Sequence, residues 1–315
     1  MNTYLPAGEP TFYFVGVSTG QSSIMRVFPA WAEFLQLGQV KIKGIDLKIH
    51  DAAENYREVV RFIKGDPRSV GALVTTHKID VLRTCRDLFD ELDFYARSTG
   101  EISCLSKHDG TLRGHAKDPI SSGLTLEAFL PANHWRDTGA EVLVLGAGGS
   151  GVAVTAYLLD ARHGDNRPAR IRVADRSSER LHEAEAVRHH FASTVPVEYC
   201  QVVSAADNDR LVSDLPPCSL VINATGLGKD APGSPVTSAA RFPERGYAWE
   251  FNYRGDLVFL EQARSQATER GLHVEDGWLY FVHGWTQVIA EVFGVTIPSR
   301  GPIFDQISRI ALDAR

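Results

Sequence analysis

The apolar run that opens GALVTTHKID (residues 71–80) leads, four positions after Val74, to a lysine, Lys78. The run reads as a half-buried strand, and the lysine falls where a helix begins. A lone lysine is ordinarily a solvated surface charge, so its meaning depends on what chemistry the rest of the chain supplies. The clearest chemistry lies downstream, in LVLGAGGSG (143–151). There Gly146, Gly148 and Gly151 form a G-x-G-x-x-G directly after an apolar strand and directly before a helical run. In that setting Gly146 permits the tight turn, Gly148 lets a pyrophosphate approach the backbone, and Gly151 allows the helix to pack closely on the strand. Gly149, Ser150 and Gly151 would offer helix-start N–H groups and the positive end of the helix dipole to the phosphates.

The next strand, residues 171–174, ends in Asp175-Arg176-Ser177. A carboxylate at Asp175 accepts hydrogen bonds from both ribose hydroxyls and repels a 2′-phosphate, which favours NAD. Arg176 keeps NADP open, because a guanidinium can stack on adenine or hold that phosphate. INATGLG (222–228) closes a later strand, and its Thr225 and Gly226 would face the nicotinamide from the carboxyl edge of the sheet.

Strand-like and helix-like segments alternate along the chain, as these sites require. Residues 11–17 read as a strand. Ile24, Val27, Phe28, Trp31, Phe34 and Leu35 then line one helical face, on which Pro29 should kink or restart the helix. Strands over 41–49 and 70–75 flank a helix over 55–64. A helix from Lys78 should turn Ile79, Leu82, Cys85 and Leu88 or Phe89 inward. Residues 101–105 and 111–115 read as two strands around a turn at Asp109-Gly110. A helix to Leu130 leads into a polar connector (131–139), and from residue 141 apolar strands and helices repeat in the pattern of a parallel doubly wound sheet. A long helix is expected over 257–270, and two helical segments, 277–293 and 303–314, end the chain without another strand. The resulting expectation is α/β. A small N-terminal α/β substrate domain (1–120 and 278–315) would be interrupted by an inserted Rossmann-type domain (121–277), with the C-terminal helices returning to the first.

Composition narrows the function classes. With 315 residues, 43% hydrophobic and 23% charged, the chain reads as an ordinary globular protein. A formal charge of −6 without a basic stripe argues against a nucleic-acid binder. No segment approaches about 18 uninterrupted apolar residues, and MNTYLPAGEP lacks the charged and apolar regions of a signal peptide. Four widely spaced cysteines without a C-x-x-C pair suggest reduced thiols and a cytoplasmic protein. The eleven histidines show no zinc-ligand spacing, so no metal is expected.

In order and spacing these motifs resemble the shikimate/quinate dehydrogenase family over essentially the whole chain. GAGGSG is similar to that family's glycine loop, and VINATGLG to its N-A-T-S-x-G turn. ALVTTHK resembles N-V-T-x-P-x-K, whose lysine is catalytic and falls on Lys78. DGTLRGHAKD resembles D-G-x-L-x-G-x-N-T-D, whose final aspartate partners the lysine and falls on Asp118. The departures concentrate where the family reads its substrate. Of two serines before the first helix, Ser22 matches one while Ile24 stands at the other. Ala72 and Val74 replace the asparagine and threonine of N-V-T, and Ala116-Lys117 replace the N-T before the final aspartate. EISCL stands for A-V-N-T-L, with Ser103 at the asparagine. Gly284 occupies the place of a C-terminal-helix glutamine, with His283 and Gln287 nearby. Asp175-Arg176-Ser177 stands where the family has N-R-T, again favouring NAD. Ser22, Ser103 and Gln287 are therefore the substrate-binding candidates. Gln21, Arg26, His77, His115 and His283 are further polar groups whose ordinary role is structural.

The resemblance implies an NAD(P)-dependent alcohol dehydrogenase acting on a small, cyclic hydroxy acid or polyol, with non-standard specificity, and leaves room for a homodimer. Interconverting an alcohol and a ketone without a metal requires a side chain that moves one proton at the oxygen, and Lys78 fits that need. The dipole at its helix start disfavours the ammonium while a nearby Asp118 favours it, leaving the net direction open. Two other readings remain: an NAD-binding sensor or regulatory protein without turnover, and an aminoshikimate-type dehydrogenase.

Overall fold

A computed structural model describes residues 4–229 and 231–314; the first three residues of MNTYLPAGEP lie outside it. The chain divides into two compact units, one running to Ser121 and resuming at Val282, the other spanning Ser122–Phe281.

The first unit is built on a mixed sheet of β1 (Thr11–Gly16), β2 (Lys41–Asp46), β3 (Ser69–Val74), β4 (Glu91–Leu92), β5 (Cys104–His108) and β6 (Thr111–His115), ordered β2-β1-β3-β5-β6-β4. β1 is parallel to both β2 and β3 and is buried along its whole length. Such a central parallel strand must be apolar on both faces, as TFYFVG nearly is. The helices in this stretch are α1 (Ile24–Phe34), α2 (Ala53–Gly65), α3 (Lys78–Cys85), α4 (Phe94–Thr99) and α5 (Asp118–Phe129), the last crossing the unit boundary.

Several sequence expectations shift here. α1 does not restart at Pro29, which lies on its exposed side between the buried anchors Val27, Phe28 and Trp31. One missing N–H on a solvent face is tolerated when packing holds both flanks. Ile79 is 50% exposed, and α3 instead buries Val81, Leu82 and Cys85. β4 and α4 had no counterpart in the sequence reading; Asp93 caps α4 by accepting from the Ala96 amide at 2.6 Å. The hairpin strand is Cys104–His108 rather than 101–105. Asp109 and Gly110 both adopt positive φ (51° and 77°), so His108 pairs with Thr111 across a two-residue turn. That geometry fixes the register from the turn backwards and leaves Glu101 outside the strand.

The second unit holds an all-parallel sheet of β7 (Val142–Leu145), β8 (Ile171–Asp175), β9 (Val197–Gln201), β10 (Leu220–Asn223), β11 (Tyr247–Glu250) and β12 (His273–Glu275), ordered β12-β11-β10-β7-β8-β9. Its helices are α6 (His134–Thr138), α7 (Gly149–Leu159), α8 (Ser178–Arg188), α9 (Ala205–Ser213), α10 (Val258–Arg264) and α11 (Ala267–Arg270). Leu143, Leu145, Val221, Ala248, Phe242 and Phe259 belong to one buried cluster under the sheet. α6 lies within the expected polar connector, because His134 and Trp135 are buried there. The long helix expected over 257–270 breaks into α10 and α11. Gln266 bonds the neighbouring loop instead of continuing the helix, accepting from the Phe242 amide and donating to the Ala240 carbonyl.

The chain re-enters the first unit within α12 (Trp278–Phe293) and ends in α13 (Pro302–Asp313). Trp285 and Phe293 of α12 pack edge-on against Phe12 of β1, and Phe28 of α1 lies 5.3 Å from the same ring. Trp31 of α1 is fully buried and donates its indole N–H to the Ile307 carbonyl of α13 at 2.9 Å. Trp31→Phe keeps most of the volume and deletes that bond. Urea unfolding should show a loss of about 1–2 kcal/mol; an unchanged midpoint would mean that the bond contributes nothing to holding α13.

Candidate active site

Between β3 and α3 the backbone reverses sharply. Thr76 takes a φ of 53°, and the His77 amide turns back to the Thr75 carbonyl. His77 is 1% exposed, with Nδ1 sharing a 3.3 Å hydrogen bond with the Tyr56 hydroxyl. Lys78, the next residue and the first of α3, keeps a 22% exposed side chain, and its ammonium donates to the carboxylate of Asp118, 12% exposed. Asp118 opens α5, where the helix dipole favours a negative charge.

Ser103 holds this arrangement in place. Its carbonyl accepts from the Val74 amide at the end of β3, and its own amide donates to the His115 carbonyl at the end of β6, each at 2.9 Å. Its hydroxyl oxygen accepts from the Lys117 amide at 2.7 Å, fixing the residue that precedes Asp118. Ser103 is 3% exposed, so this candidate substrate ligand ties the lysine's strand to the aspartate's helix. Beside it, the Lys117 ammonium pairs with Glu291 at 2.7 Å, and His115 Nε2 bonds the Ser106 hydroxyl at 2.9 Å.

The electrostatics favour a charged lysine. Burial pulls Lys78 toward the neutral amine, but the charges of Asp118 and Glu101, with the hydrogen bond to Asp118, outweigh it and hold its pKa above the usual lysine value. Glu101 escaped the sequence reading. It is 2% exposed, and its Oε1 is buried with no hydrogen-bond partner. Burial pushes its carboxyl up to about 8, against the pull of Lys78 and with reinforcement from Asp118. The one local signal was a carboxylate in EISCL, a segment otherwise suited to a buried strand.

Ser22 and Gln287 are half-buried, and neither takes part in the bonds described above that hold Lys78, Asp118 and Ser103. Ile24 is fully buried in the core. Gln21 is exposed, and Arg26 donates to the Ala314 carbonyl at 3.1 Å. His283 is fully buried, stacked 4.5 Å from Phe304, and both ring nitrogens lack partners; burial pulls its pKa down to about 4.

In the second unit, β7 delivers the glycine turn. Gly146 has a φ of 109°, and a Cβ there would lie 2.9 Å from the Ala224 backbone. A Cβ on Gly151 would lie 2.0 Å from the Gly146 carbonyl oxygen, whereas one on Gly148 would meet nothing within 4 Å. Two glycines are therefore required by packing, while the third leaves open space at the start of α7, where the first N–H groups lack intrahelical acceptors. Gly149, Ser150 and Gly151 form that first turn. These features fit a dinucleotide pyrophosphate.

Asp175 is half-buried, with Oδ2 accepting from the Ala147 amide at 2.8 Å and Oδ1 from the Ser177 amide at 2.9 Å. It thus clamps the glycine turn to the end of β8 while presenting a carboxylate with lone pairs to spare. Arg176 beside it is exposed. Thr225 donates its hydroxyl to Asn223 Oδ1 at 2.6 Å, and Gly226 is exposed at the turn's apex. Asn223 in turn donates to the fully buried Glu250 at 2.6 Å, and Asn252 bonds the other oxygen of that carboxylate at 2.7 Å. This network, also absent from the sequence reading, fixes the turn that carries Thr225. Burial pushes Glu250 up to about 7 against those two hydrogen bonds and a third, donated by the Asn252 amide at 2.8 Å.

No family model matches the chain. The shikimate dehydrogenase (NADP(+)) of Paramagnetospirillum magneticum is 29% identical over 302 residues, covering 95% of this chain and 96% of that one. Among solved structures, the shikimate dehydrogenase of Aquifex aeolicus superposes with a TM-score of 0.73 at 17% identity, covering 98% of this chain and 99% of that one. The quinate dehydrogenase of Corynebacterium glutamicum, in complex with NAD, gives 0.72 at 19% identity, covering 97% and 99%. Over 95% of its residues, therefore, this chain is similar to a shikimate dehydrogenase, and it has the two-domain α/β fold of the shikimate and quinate dehydrogenases.

Proposed function

We propose that the chain is an NAD(P)-dependent oxidoreductase that interconverts a secondary alcohol and a ketone on a small, cyclic hydroxy acid or polyol. The observation that carries this reading is the ion pair of Lys78 and Asp118, held at two helix starts with both side chains still reaching solvent. When bound, the nicotinamide ring takes up or supplies the hydride. In oxidation, the neutral amine of Lys78 removes the hydroxyl proton as the hydride leaves the same carbon. In reduction, the ammonium returns that proton to the carbonyl oxygen, where negative charge develops. Asp118 orients the amine and stabilises its charged form. Because Lys78 is held above the usual lysine value, oxidation should accelerate with rising pH, while reduction should persist through neutrality.

The substrate is read differently from shikimate. Ile24, Ala72 and Val74 are essentially fully buried and offer no side-chain hydrogen bond. Each unmatched substrate hydroxyl costs about 1–3 kcal/mol. Assays with shikimate, quinate, cyclic polyols and amino-substituted analogues should therefore find the highest kcat/KM on a compound other than shikimate. The carboxylate of Asp175 supports NAD over NADP, a preference that Asp175→Ala should narrow.

Two substitutions test the chemistry. Lys78→Ala should lower turnover by about 10²–10⁴-fold while leaving dinucleotide affinity within a factor of a few, measured by calorimetry. Normal turnover in that variant sinks the reading. Gly148→Val, placed where a side chain meets open space, should fold normally yet lose dinucleotide affinity about tenfold or more, or ~1.4 kcal/mol. Undiminished affinity would remove the pyrophosphate from that turn.

A further inference from the structure

Glu101 is a buried carboxyl for which the reaction above has no use. It follows α4 and precedes β5, and the amide of its neighbour Ile102 donates to the Lys78 carbonyl at 3.1 Å, which brings it beside the start of α3. The charged groups that face it are Lys78 from α3 and Asp118 from α5. Lys78 and Asp118 keep some exposure, whereas Glu101 is 2% exposed and its Oε1 is closed to solvent. A substrate that reaches the pair therefore does not touch Glu101, whose influence must pass through the lysine.

We infer that Glu101 is a positioning residue whose own protonation sets how tightly Lys78 holds its proton. This rests on Lys78 being the proton-transfer group proposed above. Three ionised groups here would leave one net negative charge in a buried space, with one carboxylate oxygen unpaired, a costly state. Two carboxyls around one ammonium relieve it by keeping a proton on the more buried of them. Glu101 consequently remains neutral through pH 7, since burial pushes it up to about 8. In that state Lys78 faces the charge of Asp118 alone. Above pH 8 the ionised Glu101 adds a second negative charge, and the ammonium becomes harder to deprotonate. For alcohol oxidation this is a brake at alkaline pH, where the free amine would otherwise accumulate.

The test reads the lysine directly, without a substrate. Acetic anhydride at trace level acetylates only neutral amines, and mass spectrometry of the Lys78 peptide gives its rate as a function of pH. Glu101→Gln mimics the protonated carboxyl. Its Lys78 should react at the wild-type rate up to pH 7, then increasingly faster, reaching about tenfold where wild-type Glu101 is fully ionised, the effect of lowering a pKa by about one. Other lysines, such as Lys64 and Lys107, serve as internal references. Greater access alone would raise the rate equally at every pH, so a flat ratio overturns the inference, as does no difference at all. Glu101→Ala, which leaves no hydrogen-bonding group to misplace, must give the same pH-dependent divergence; its absence there is equally fatal. Because acetylation is independent of turnover, a catalytically normal Lys78→Ala would refute the proposed reaction without altering this result.

Discussion

A lysine drawn partly out of water must keep a carboxylate beside it or lose its charge, and much of the first unit follows from that requirement. Asp118 meets it from the start of α5, but only because several backbone bonds converge on Ser103. Those bonds join the end of β3 to the end of β6 and to the Lys117 amide. A sheet that places β5 between β3 and β6 is what allows one serine to span them. The ion pair is therefore less a contact between two side chains than a product of strand order. Changing Ser103 would act on both partners at once, through the backbone that carries them.

The second unit meets its own constraint in a similar way. Phosphate binding needs backbone N–H groups that are accessible yet rigid. Rigidity comes from Gly146 and Gly151, whose missing side chains let the turn close on Ala224 and on itself, and from Asp175 holding the Ala147 amide. Access comes from Gly148, the one of the three with empty space around it. Asp175 therefore has two tasks, bracing the turn and presenting a carboxylate. Its replacement should therefore loosen the glycine turn as well as remove the carboxylate. The Asn223–Glu250–Asn252 network does comparable work under Thr225, where a buried carboxyl is satisfied by three donors.

What the sequence disclosed divides along the range of the forces involved. The glycine turn, the parallel strands and the lysine at the end of β3 were legible because short-range steric and periodic rules write them into adjacent residues. The Asp109-Gly110 turn was legible too, but the extent of its strands was not, since register depends on pairing between β5 and β6. The break before α11 depends on Gln266 finding two backbone partners about 25 residues away in the chain, and no local propensity announces that. Pro29 points in the opposite direction: a local rule allowed a restart there, and α1 instead runs on through it with buried residues on both sides. Glu101 was hidden for the same reason as Gln266. Its meaning lies in proximity to α3 and α5, which EISCL alone cannot reveal.

The buried Glu101 also bears on the substrate reading proposed above. By the sequence correspondence, three positions that would read a polar substrate carry Ile24, Ala72 and Val74, all sealed in the core. A chain drifting out of use has no reason to keep a costly unpaired carboxyl while it gains apolar packing, because an apolar residue at Glu101 would remove that cost. Yet Glu101 stands at the alanine of the A-V-N-T-L pattern, adding a buried carboxyl beside Lys78. By that correspondence, apolar side chains stand at three positions that would read the substrate, while a carboxyl is added beside Lys78. That asymmetry is what the proposed reaction on a substrate other than shikimate, with Lys78 still moving the proton, would require.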